Sequence, residues 1–114
     1  MIDWNRIDAL REEVGADALP EIVALFLDET GEAVDGLRAI AAGARSADPP
    51  AGMSARMHFL SGSAGQLGLT RMQALAATAE TAALEGQVVD PAPVIDAFDV
   101  ARVELLAGMG DAAA

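Results

Sequence analysis

Apolar side chains recur every three or four residues along most of the chain and nowhere alternate with polar ones over the length of a strand. That period predicts amphipathic helices throughout. A first segment, from about Asp3 to Val14, places Trp4, Ile7, Leu10 or Arg11 and Val14 at helical spacing and stops at Gly15. The second runs from Asp17, the expected N-cap, to Gly43, with Pro20 in its first turn. Leu19, Ile22, Val23, Phe26, Thr30, Val34, Leu37 and Ile40 share one side of it.

The stretch "ARSADPPAG" breaks the period and reads as a connector in which Asp48 caps the next helix. In the third segment, about Pro50 to Leu67, Met53, Met57, Leu60, Ala64 and Leu67 form a core stripe. "LGLT" interrupts it, and Thr70 with Gln73 fits a capping box for a fourth helix through Met72, Leu75, Ala76, Ala79 and Ala83 to Gly86. In "GQVVDPAP", Asp90 caps and Pro91 starts a fifth helix carrying Ile95, Phe98, Arg102, Leu105 and Met109. Four long helices with short connections, preceded by a short one, give an all-α expectation: an antiparallel four-helix bundle with an additional N-terminal helix. It forms one domain over residues 1–110, with 111–114 expected to fray.

Composition narrows what such a bundle can do. At 114 residues the chain is one domain by length. Its longest apolar runs fall far short of the roughly 20 residues that cross a bilayer. The acidic opening "MIDWNRIDALREE" lacks the basic and apolar blocks of a secretion signal, so a soluble cytoplasmic protein is expected, without membrane insertion. No cysteine is present and histidine occurs once, which removes disulfides, thiolate chemistry and a multi-histidine metal site within one chain. The formal charge of −11 opposes binding to nucleic-acid phosphates or anionic lipid. Protein partners or a small ligand remain, and a monomer is expected.

That histidine, His58, stands in "MHFLSGSAGQLG". At 100° per residue it falls about 140° from Met53, the first member of the core stripe, and is therefore predicted to face outward. Ser54 and Ala55 one turn before it, Ser61 and Gly62 one turn after it, and Gly65 two turns on share its sector, and all are small. Gly62 and Gly65 in a helix interior each cost about 0.5–1 kcal/mol relative to alanine. A face stripped of side chains gains nothing for the fold, but it lets another macromolecule come close to the imidazole. Gln66, about 80° round the helix, is a possible rim contact. Phe59, off the core stripe, is a candidate apolar docking residue or a contact for the N-terminal helix.

At these residues the sequence resembles a histidine-containing phosphotransfer (HPt) domain of two-component phosphorelays. His58, Leu60, Gly62, Ser63, Leu67 and Gly68 stand where the family pattern has its phospho-accepting histidine and the residues after it. "LREEVGADALPEIVALFLDE" is similar to the family's opening and "MQALAATAE" to the helical stretch beyond the motif, so the resemblance runs from about Ile2 to Ala107. It implies a four-helix bundle that exposes the histidine on a central helix, and a protein that carries phosphoryl groups without binding ATP. It also implies response-regulator receiver domains and a hybrid sensor kinase as partners. No intrinsic cofactor is implied; Mg2+ belongs to the partner receiver. One departure stands out: the family usually has a lysine three residues after the histidine, and this chain has Ser61, which can donate a hydrogen bond but brings no positive charge.

On the resemblance, His58 takes a phosphoryl group, by analogy on Nε2, from a receiver aspartyl phosphate and passes it to another receiver. An exposed imidazole keeps a free lone pair near neutral pH, so no internal base is needed. Ser61 then becomes a hydrogen-bond donor to the phosphoryl group and Gly62 clears room for the receiver, while Ser63 serves the helix or its packing. A phosphorylation-independent adaptor that binds or sequesters a receiver or kinase is the alternative. A serine hydrolase would need a carboxylate to orient His58 and an oxyanion site, and the exposed sector offers neither. A histidine kinase is disfavoured because no ATP-binding domain fits in the rest of the chain.

Overall fold

The computed structural model describes residues 1–43 and 50–113, the side chains of 50, 51 and 110–113 excepted. Five helices follow one another: α1 Trp4–Val14, α2 Leu19–Ala41, α3 Pro50–Gln66, α4 Thr70–Leu84 and α5 Ala92–Ala113. The expected connector and its cap Asp48 lie mostly outside the described residues, as does Ala114. Helix α5 runs on to Ala113, through the stretch expected to fray.

Local chemistry explains most of the boundaries. Asp3 caps α1 by accepting a hydrogen bond from the Asn5 amide, and Gly15 ends it in the left-handed region at φ +89°. Helix α2 begins almost at once, the Leu19 amide bonding to the Gly15 carbonyl. Asp17 is therefore not its cap: Ala18 holds the N-cap position without a side-chain bond. Asp90 does cap α5, its Oδ1 accepting the Ala92 amide at 3.0 Å.

The capping box expected at Thr70 does not form. Leu69 occupies the N-cap position, the Thr70 hydroxyl donates to the Met1 carbonyl, and Gln73 turns toward α3. What competes is the N-terminal segment. Ile2 pairs with Leu69 as an isolated antiparallel bridge, and the Asp3 amide donates to the Gly68 carbonyl at 2.8 Å.

Helices α2 to α5 form a four-membered ring in which α3 packs on α2 and α4, and α5 packs on α2 and α4. Helix α5 is thus diagonal to α3. The stripe Met53, Met57, Leu60, Ala64 and Leu67 is buried, as its spacing predicts. On α2 the buried line passes through Leu27, with Phe26 only half-buried against the core. On α5 Ala101 is buried where the spacing predicts Arg102, because the guanidinium stays in water and the contact shifts by one residue. Trp4 is 41% exposed rather than central, lying edge-on over Gly108, where the missing side chain leaves space for the indole.

Candidate functional site

His58 projects from the middle of α3, and its side chain is 78% exposed. Its Nδ1 lies 2.9 Å from Oε2 of Glu80 on α4, a carboxylate that is 24% exposed. The pairing follows from the antiparallel packing of α3 on α4. The turn at Leu67 to Leu69 sets an offset that brings Gly65 against Gln73, and two turns further along each helix the same offset brings His58 against Glu80.

Against an ionised carboxylate, which can only accept, the tautomer that satisfies this contact is the one with the hydrogen on Nδ1. The lone pair then belongs to Nε2. Among the described residues Nε2 has no hydrogen-bond partner, so the nucleophilic atom of the ring is the one that faces outward. This arrangement corrects the expectation that no carboxylate reaches the imidazole. Glu80 lies 22 residues from His58 in sequence and on another helix.

The small residues around His58 divide into two groups. Ala55 is exposed, and Gly62 opens onto empty space, with nothing within 4 Å of where a Cβ would stand. These two flank the imidazole on the open side. Ser54 is 8% exposed and Gly65 faces α4, where an added Cβ would meet the Gln73 amide nitrogen at 2.8 Å. The helical angle alone predicts both on the partner-facing surface; both lie toward the interior or the α3/α4 contact, because the azimuth of α4 takes up that flank of α3. Ser61, one turn from His58, is half-buried.

Phe59 is 48% exposed on the far side of the open face. The Gln66 side chain is exposed at the rim, while its carbonyl accepts a bond from Arg6 Nε at 2.9 Å, tying α1 to the end of α3. By helical angle Arg56 sits on the flank of α3 away from His58, and Arg71 lines a cleft between α4 and α5. The ionic partner that the structure gives the imidazole is Glu80.

No group of histidine and carboxylate side chains among the described residues is arranged to hold a metal ion. No helix among them is long and apolar enough to cross a membrane.

An all-helical bundle that holds one imidazole by Nδ1 and presents Nε2 on an uncluttered face is a scaffold for a nucleophilic or group-carrying histidine. The Hpt domain family model matches residues 21–113, and the chain belongs to that family. Hpt domains carry phosphoryl groups on histidine in phosphorelays. No curated protein and no solved structure matches the chain. The match begins after α1, so the N-terminal helix and the segment that pairs with Leu69 lie outside the matched residues.

Proposed function

We propose that His58 is the phosphoryl carrier of this Hpt domain, accepting at Nε2 from the aspartyl phosphate of a receiver domain and donating to the aspartate of another. The observation that carries the reading is the Nδ1 contact to Glu80, which assigns the free lone pair to Nε2. In the forward step the Nε2 lone pair forms the N–P bond as the acyl P–O bond breaks, and the electron pair leaves with the receiver's carboxylate. The ring keeps its Nδ1 hydrogen and gains positive charge. Glu80 is placed to stabilise that charge, as a carboxylate behind a catalytic histidine does.

The remaining parts come from the partner. The receiver would hold Mg2+ in the acidic pocket around its aspartate, and bound there it would supply charge neutralisation for the transferring phosphoryl group. On this reading Ser61, one turn from His58, supplies a hydroxyl to that group but no charge. Gly62 and Ala55 leave room for the receiver's rim. A hybrid sensor kinase carrying such a receiver is the upstream partner on this reading.

The test is a panel of phosphorylated receiver domains from the same genome, incubated with the protein and with its His58→Gln variant. Transfer of acid-labile label to the wild type and none to the variant is the expected result. A receiver that binds both forms equally and transfers to neither would replace the carrier by a phosphorylation-independent adaptor.

A further inference from the structure

A cavity of about 510 Å3 lies between α4 and α5, whereas His58 meets α4 from the side of α3. Its volume is in the range of small-molecule sites, and its floor is apolar. Met72, Ala97 and Ala101 are buried there, with Leu75 half-buried beside them. At the lip, Val100 is 56% exposed and Met1 71%, so the cleft opens to solvent between two large apolar side chains.

Charged groups stand at its two ends. Arg71 lies in the first turn of α4. Next to it the Met1 carbonyl accepts from the Thr70 hydroxyl, and the Met1 ammonium sits 3.1 Å from the Glu104 carboxylate. That end of the cleft therefore holds two cations and one anion. Asp96, eight residues before Glu104 on α5, is about 12 Å away along the helix and lines the other end. Arg6, Arg11 and Arg38 are each ion-paired. Arg71 has no ion-pair or hydrogen-bond partner among the described residues, although two carboxylates line the same cleft.

This distribution specifies a complementary molecule. A guanidinium takes a carboxylate through two parallel hydrogen bonds. The single net positive charge at that end matches one carboxylate and not a doubly charged phosphate ester. The apolar floor matches an aliphatic body, and Asp96 at the far end disfavours a second carboxylate. The chain's charge of −11 opposes anions in general, but over distances beyond about 8 Å that repulsion is screened at physiological ionic strength, while the Arg71 contact is direct.

We propose that the α4/α5 cleft binds a medium-chain aliphatic monocarboxylate, its head group on Arg71 and its chain laid over Leu75 and Ala97 beneath Val100. The site is non-covalent and independent of His58, so it stands or falls apart from the phosphotransfer reading.

The test titrates decanoate, below the concentration at which it forms micelles, into the full chain with 15N labelling, at physiological salt. Saturable one-to-one binding is expected, with amide shifts concentrated at Arg71, Leu75, Ala97 and Val100. Arg71→Gln is expected to raise the half-saturating concentration roughly tenfold, the loss of a hydrogen-bonded charge contact. Arg102→Gln removes the same charge from α5 beside a different, acidic cleft and is expected to bind as wild type, as is His58→Gln. Decanol, without the head group, and decanedioate, with a second carboxylate facing Asp96, are both expected to bind more weakly. Unchanged melting temperatures show that the variants are folded. Binding that does not saturate, equal affinity of Arg71→Gln and wild type, or decanol binding as well as decanoate would each overturn the proposal.

Discussion

Thr30 occupies a core position of α2 and is 1% exposed, and its hydroxyl oxygen has no hydrogen-bond partner among the described residues. A buried hydroxyl without a partner costs about 1–3 kcal/mol relative to one that is satisfied. Valine has the same shape without that group. Thr30→Val is therefore expected to raise the unfolding free energy by about 1 kcal/mol in urea denaturation, with an unchanged slope. A loss of stability would mean that the hydroxyl is satisfied in solution. His58 and Glu80 show what a single residue's surroundings can and cannot reveal in sequence. The outward direction of His58 depends only on its own helix, and the 3.6-residue period is enough to find it. Glu80 depends on how two helices pair. The antiparallel direction of α3 and α4 follows from the short connection, but the offset set at Leu67 to Leu69, which decides that Glu80 and not a neighbour meets His58, does not.

Among the elements, the turn between α3 and α4 fixes that pairing and so positions the site. Gly68 adopts φ +71°, and a Cβ there would stand 2.7 Å from the Asp3 carbonyl oxygen. Backbone, not a flexible side chain, blocks the space, so the obstruction cannot be relieved cheaply. Gly68→Ala is expected to destabilise the protein by about 2 kcal/mol, combining left-handed strain with displacement of the N-terminal segment. Thermal and urea unfolding both measure it, and a change below about 0.5 kcal/mol would show that the segment is not held there in solution. The helices themselves were legible because each buries a periodic stripe. Two caps were not. At Thr70 the N-terminal segment, close in space and distant in sequence, takes the hydroxyl, and at Asp17 the immediate succession of α1 and α2 lets the Gly15 carbonyl meet the first α2 amide. The same kind of long-range packing turned Gly65 and Ser54 from the open face to the interior.

At the scale of the whole molecule, the ring of four helices separates two surfaces. Helix α3 and the adjoining flank of α4 present the imidazole with Phe59, while the outer face of α5 lies diagonally opposite. The pairing of α3 with α4 sets His58 against Glu80. The choice of nitrogen is then a property of the free protein, made before any partner arrives. The most direct check is therefore a measurement without a partner: the protein, with 15N in its histidine ring, is treated with phosphoramidate and followed by 31P and 15N NMR. A single acid-labile phosphoimidazole with phosphorus on Nε2, absent from His58→Gln, is predicted. Stable phosphorus attached to Nδ1, or no phosphoimidazole at all, would contradict the account.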